Sequence, residues 1–341
     1  MTNAIRGHGA VCRNSIALAK AGSCPSQRWL DATTHLLSSD VTLVNIGANK
    51  GYVVNELLQR FRAGWRVTNA EWCMHINAFV KPGSVRTQCG HGPLCGACTD
   101  CRVPPPTVTV PRTVQAAQQP WPRIIAVELA DANAQLLRHL FGKLAVPAEV
   151  MHAGGSNTTE GYAIDPDVPV GHEMGMLQLA GVGSRTTGRV PLVTADHVAE
   201  SRGLDNITFL TIDTEGHDSL VLLGARQLLS ARRVRVLQFE YHERGLWAKT
   251  PLSPRVRWLH RNGYTCFWQS KTGPLSPFLP RCSYDFKRWS NVVCAHEPAI
   301  VSAFEALVPQ QLRGSGARER QGERPPRARM HDGWASRGGR G

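Results

Sequence analysis

The sequence predicts an α/β fold built on a doubly wound, mostly parallel sheet, and three observations point to it. Short apolar runs rich in β-branched residues recur along the chain, and three of them lead into stretches with apolar residues at helical spacing. These runs end in glycine or a carboxylate, at the strand ends where such sheets hold their ligands. Two late apolar runs have no helical stretch between them, so they should pair antiparallel and make the sheet mixed.

Residues 41–47 (VTLVNIG) give the first strand and its glycine stop, and GYVVNELLQRF then sets Val53, Leu57 and Phe61 on one helical stripe. The second strand is RIIAVEL (123–129), followed by ADANAQLLRHLFGKL with a buried face at Leu136, Leu137 and Leu140. NITFLTID (206–213) is the third; it turns at 214–216 and enters DSLVLLGARQLL, where Gly224 should stop the helix. VRVLQFEY (234–241) is the fourth. GYTCFWQ (263–269) and SNVVCAH (290–296) form the antiparallel edge hairpin. Between 65 and 122 the pattern breaks into a Cys-, Pro- and Trp-containing stretch, an insertion after the first helix. The chain therefore divides into an N-terminal extension (1–40), a main domain (41–300) and a basic, low-complexity tail (301–341) too poor in apolar residues to fold.

With 42% hydrophobic and 19% charged residues over 341 positions, the chain can bury a large core. No apolar run approaches the roughly 18 residues of a membrane span. The first thirty residues lack the apolar block of a signal peptide, which points to the cytoplasm; an incomplete N-terminus would leave a secretory lumen open. The formal charge is +13, and residues 309–341 hold eight Arg against Glu319, Glu323 and Asp332, a local +5. Such a tail is compatible with nucleic acid or another anionic partner, but aromatic interleaving is limited to Trp334, and a solvated tail is the preferred reading. CGHGPLCGACTDC packs Cys89, Cys95, Cys98 and Cys101 closely, with glycines that let the chain wrap an ion, so a structural zinc site is expected there. Disulfides are the alternative and imply an oxidising lumen. Cys266 and Cys294, on the edge hairpin, could bond across it in the same conditions, and are equally ordinary as buried thiols.

In NIGANKG, Gly47, Asn49 and Gly51 lie where the first strand turns into a helix, a place where absent Cβ atoms let backbone approach a ligand and free N–H groups face it. The pattern lacks the third glycine of a dinucleotide fingerprint, which disfavours a nucleotide-dependent oxidoreductase on the same sheet. A carboxylate ending the second strand is the usual partner of a ribose diol. Glu128 lies 77 residues past Gly51, or 19 once the 58-residue stretch is excised; Glu71 lies 20 residues past without excision. Glu128 is preferred because its strand is more apolar and an amphipathic helix follows.

VNIGANKG, IIAVELADANAQLL, HAGGSNTTEGYAID and above all FLTIDTEGHDSLVLLGARQLL resemble, in that order, the FkbM-type methyltransferases across roughly residues 41–296. The resemblance implies a Rossmann-like class I methyltransferase sheet, S-adenosylmethionine as cofactor, and transfer to a hydroxyl, often on a carbohydrate or other small metabolite. It further implies that Gly47, Asn49 and Gly51 hold the methionyl part, that Glu128 holds the ribose, that the loop at Gly155, Ser156 and Asn157 lies near the adenine, and that Asp213 faces the cofactor. The sequence departs from the family's pattern at three positions: Asn45 stands for an Asp, Thr211 for a Lys, and His217 for a small residue.

Methylating an alcohol requires removal of its proton, hence a base within hydrogen-bond reach. Asp213, Glu215, His217 and Asp218 cluster where the third strand meets its helix, and Glu240 and His242 end the neighbouring strand. His217 is the preferred base because an imidazole titrates near neutrality, with Asp213 and Glu240 as the other catalytic candidates; Glu215 and Asp218 should favour its imidazolium form. Asp213 is expected to cap the free N–H groups of the helix that follows. A divalent metal on Asp213, Glu215 and Glu240 is chemically compatible, though oxygen-rich clusters are more often hydrogen-bonded networks. The non-enzymatic alternative is a zinc-stabilised scaffold with a degenerate pocket.

Overall fold

The computed structural model describes residues 12, 14–17, 24–37, 40–80, 94–96, 98–106, 120–165, 168–173, 178–179, 188–279, 282, 284 and 288–312. Cys89, and the Arg-rich part of the tail from residue 313, lie outside the described residues.

Eight strands form the main sheet: β1 (Thr42–Ile46), β2 (Arg123–Glu128), β3 (Ala148–His152), β8 (Ile207–Ile212), β9 (Val234–Tyr241), β10 (Thr265–Gln269), β11 (Leu275–Pro277) and β12 (Ser290–Ala295), in the spatial order β11-β10-β12-β9-β8-β1-β2-β3. The run from β3 to β9 is parallel, whereas β12 is antiparallel to both β9 and β10, so the predicted mixed sheet is the one observed. β11 extends the edge beyond the predicted hairpin. Strand order reverses at β1, with β2 on one side and β8 on the other, which opens a crevice at their carboxyl ends. Four short segments, β4 (Gly154–Gly155), β5 (Tyr162–Ile164), β6 (Gln178–Leu179) and β7 (Arg189–Val193), make a second small sheet.

The central strands are apolar at nearly every position because both faces are covered. Side chains alternate between two cores. Val44, Ile46, Ile125, Val127, Leu210, Ile212, Leu237 and Phe239 pack on the face carrying the helices Ala195–Ser201, Asp218–Gly224, Arg226–Ser230 and Leu252–Arg261. Leu43, Ile124, Ala126, Phe209, Val236 and Val293 pack on the other, under Trp29–Thr33, Tyr52–Phe61, Asn69–Val80, Asp131–Lys143 and Pro298–Ala306.

Within the stretch predicted as an insertion, Asn69–Val80 is a helix that buries Trp72, Cys73 and Ile76 against the core. Its start was written in the sequence as a capping box: Thr68 Oγ1 accepts from the Glu71 N–H at 3.1 Å, and Glu71 Oε2 accepts from the Thr68 N–H at 2.7 Å. Glu71 is thus a first-turn helical carboxylate, and the carboxylate that ends the second strand is Glu128.

The expected zinc site is overturned. Cys95 is bonded to Cys101, while Cys98 is bonded to Cys24, a residue far outside the cluster. A thiolate joined to another sulfur no longer offers the ligand that zinc requires. Cys266–Cys294 joins directly paired residues of β10 and β12, Cys12–Cys282 ties the N-terminal segment to the far end of the chain, and every described cysteine is oxidised.

Candidate functional site

At the carboxyl end of β1 the chain must turn sharply beside β8. Gly47 and Gly51 do so with φ of 84° and 76°, and a Cβ on Gly47 would stand 1.7 Å from the carbonyl oxygen of Asp213. Asn49 is also left-handed, and its N–H donates to Glu128 Oε2 at 2.7 Å; Glu128 Oε1 accepts from the Ala130 N–H at 2.9 Å. Glu128 therefore braces the glycine turn against the end of β2, and burial raises its pKa against these two donors. Asn49 Oδ1 is buried without a partner.

This turn forms one wall of a cavity of about 890 Å³ over the crevice. Gly47, Asn49, Lys50, Gly51 and Glu128 line it on one side, and Asp213, Glu215, Glu240, His242 and Asn291 on the other. Tyr52 and Val53, in the first turn of the helix Tyr52–Phe61, open onto it. A loop at 171–173 closes over the turn: Lys50 Nζ donates to Gly171 O and pairs with Glu173, while Asn133 accepts from the Gly171 N–H and donates to His172 O. Lys50, Asn133 and Glu173 were not legible in the sequence, because their partners are brought in from over a hundred or some forty residues away.

The opposite wall is acidic. Asp213, exposed to the cavity, and Glu240, buried beside it, share a hydrogen bond between carboxyl groups; desolvation raises the pKa of each, and the charge of Asp213 helps to raise that of Glu240 well above the carboxylate range. Glu215 sits at φ 53°, a strained position for a residue with Cβ, and is pushed up to about 8 by burial and by Asp213 and Asp218. Its turn is clamped by close backbone packing of Gly216 on Arg244 and Gly245. Asp218, rather than Asp213, caps the turn, accepting from the Thr214 and Gly216 N–H groups at 3.4 and 3.2 Å. His242 Nδ1 accepts from the Arg244 N–H at 2.9 Å, which places the ring proton on Nε2, 3.3 Å from Glu240 Oε2.

Not every predicted site residue reaches the cavity. His217, at the start of the helix Asp218–Gly224, is absent from its lining, and burial lowers its pKa, opposite to the imidazolium preference expected from Glu215 and Asp218. Gly155 lines the cavity, but Ser156 and Asn157 do not; Ser156 is buried against Gly224 of the same helix. The departures at Asn45 and Thr211 prove to be one feature. The residues are register neighbours on β1 and β8, and the Thr211 hydroxyl donates to Asn45 Oδ1 at 2.9 Å beneath the cavity, a neutral pair where the family's pattern has opposite charges.

A family model described as "Methyltransferase FkbM domain" matches residues 107–266, a span that starts ahead of β2 and ends in β10. It takes in Glu128, Gly155, Asp213, Glu215, Glu240 and His242; Gly47, Asn49 and Gly51 precede it. No curated protein and no solved structure is matched by the chain. No helix among the described residues is long and apolar enough to cross a membrane. With the mixed, mostly parallel sheet and its switch-point crevice, this match over residues 107–266 makes the chain similar to the FkbM methyltransferases and implies an S-adenosylmethionine-dependent methyltransferase.

Proposed function

We propose that the enzyme methylates a hydroxyl of a small polyhydroxylated acceptor, such as a sugar unit, within a catalytic domain spanning 41–300. The observation that carries this reading is one continuous cavity joining the glycine turn to the carboxyl groups of Asp213, Glu215 and Glu240. The residues present fit the cofactor. Left-handed glycines leave room for its backbone approach, and the buried, unpartnered Asn49 Oδ1 offers an acceptor. Gly47, Asn49 and Gly51 would hold the amino-acid end, Glu128 the ribose, and Gly155, with Ser156 and Asn157 behind it, the base. When bound, the cofactor supplies an electrophilic methyl group on a sulfonium.

The chain's own part is to align the acceptor oxygen and remove its proton. Asp213 is the proposed base, because it opens onto the cavity, Glu240 carries the shared proton, and a carboxylate with a raised pKa is a stronger base than one at its ordinary value. The acceptor oxygen gains the methyl group and its proton passes to Asp213. Glu215 and Glu240 hydrogen-bond neighbouring hydroxyls. The disulfides favour an oxidising compartment over the cytoplasm.

The test is a screen of glycans and hydroxylated lipids with methyl-labelled cofactor. Label on a hydroxyl is expected. Asp213→Asn should lower turnover about 10²–10⁴-fold, and His217→Ala should leave it nearly unchanged. Label confined to nitrogen or carbon, or full activity of Asp213→Asn, would sink the reading.

A further inference from the structure

The acidic wall contains three buried polar atoms without an aligned hydrogen-bond partner. Glu240 Oε2, His242 Nε2 and Asn291 Oδ1 all lack an aligned hydrogen-bond partner, although Glu240 and His242 are only 5% and 4% exposed. An orphaned buried polar atom carries a desolvation cost of about 1–3 kcal/mol, and three side by side mark a place where something else completes the set. They converge. Glu215, Glu240 and His242 each present an atom within 4.8 Å of the others, and Asn291 stands directly opposite Glu240 on the neighbouring antiparallel strand. All four residues line the one cavity.

We propose that Glu215, Glu240 and Asn291 form a site for one hard divalent cation of the Mg²⁺ or Mn²⁺ class, on the acceptor side of the cavity. The ligand chemistry follows from the donor set. Two carboxylates and an amide oxygen are oxygen ligands, and such cations are commonly held by one or two carboxylates, with waters and substrate oxygens filling the remaining positions. His242 is an outer partner instead of a ligand. Its Nδ1 is occupied as acceptor of the Arg244 N–H, so Nε2 bears hydrogen and cannot ligate; it lies 3.3 Å from Glu240 Oε2, in reach to become its donor once the carboxylate is held by the ion. A dication here leaves its open positions toward the cavity, where two oxygens of a polyol would fit. Neither the family match nor the disulfide framework calls for such a site, and it goes beyond the proposed function.

The test uses the full oxidised chain with S-adenosylmethionine present, titrated with MnCl₂ and followed by electron paramagnetic resonance. One tight Mn²⁺ per chain is expected, together with broadening of the methyl resonance of the bound cofactor, a reading that needs no variant. Glu215→Gln and Asn291→Ala should each weaken Mn²⁺ at least about tenfold, the scale on which even outer partners act, and His242→Phe should weaken it less; cofactor affinity should be kept in all three. A wild-type chain that binds the cofactor but neither retains Mn²⁺ nor broadens that resonance overturns the site. So does Mn²⁺ binding that is unchanged in both ligand variants. Hydroxyl methylation at full rate by chelator-treated enzyme also overturns it while sparing the proposed function, whereas Mn²⁺ bound as described without hydroxyl methylation does the reverse.

Discussion

Among single residues, Glu128 carries the most testable role. It is buried, ends β2, and braces the Asn49 and Ala130 N–H groups, so removing it loses two charge-assisted hydrogen bonds and the expected ribose partner. Glu128→Ala should weaken S-adenosylmethionine by about 1–3 kcal/mol in a calorimetric titration. Glu71→Ala should leave it unchanged, because Glu71 is an exposed capping residue of the helix Asn69–Val80. An equal loss in both variants would return the ribose contact to an open question. Spacing in the sequence admitted both residues. What separated them in the sequence was the apolar strand before Glu128 and the amphipathic helix after it, a pattern signal; the structure adds the capping box at Thr68. His217 shows the opposite lesson: its chemistry suited a base, but which way a first-turn side chain faces is settled by packing.

At the scale of elements, the glycine turn and the β8 turn are built against each other. Asp213 N–H donates to Ile46 O at 2.9 Å, and the Gly47 N–H donates to Val127 O at 2.9 Å, so the ends of β8, β1 and β2 are stitched into one rigid floor. Gly47→Ala would drive a methyl group into Asp213 O, and backbone at both turns would have to part. The expected cost is on the order of 3 kcal/mol or more in denaturant unfolding, with loss of cofactor binding. Gly64→Ala is the control, since that glycine also has positive φ but meets nothing within 4 Å; it should cost only about 1 kcal/mol of backbone strain.

Two predictions belong to the whole molecule. Mass spectrometry of non-reduced digests should recover Cys12–Cys282, Cys24–Cys98, Cys95–Cys101 and Cys266–Cys294, and elemental analysis should find no stoichiometric zinc. Because Cys12–Cys282 closes a separation of 270 residues, Cys282→Ser should cost about 2–5 kcal/mol of stability. The second concerns pH. Asp100 is pushed up to about 7 by burial and by the charges of Glu56 and Glu173, above its ordinary value of about 3.9. Between those values the folded state holds a proton that the unfolded chain releases, so this contribution to stability is complete below about pH 4 and is lost as pH rises through about 7. Denaturation midpoints should fall from pH 5 to pH 8, and Asp100→Asn should flatten that fall.

What the sequence determined by itself is local or periodic: the four apolar strands, the helices after the first three, the glycine turn, the carboxylates at the strand ends and the antiparallel edge pairing. These follow from spacing of 2 and 3.6 residues and from the conformational freedom of glycine, which act within a few residues of chain. Only the tertiary structure decided which sulfurs join and which acidic residues meet. Cys24 reaches Cys98, and so removes the zinc site that four close cysteines suggested, because the fold brings together thiols 74 residues apart while Cys95 is taken by Cys101. Asp213 and Glu240 come to line one cavity from which His217 is missing, because the order in which β8, β9 and β12 pair sets which strand ends face one crevice, and that order is written in no single segment.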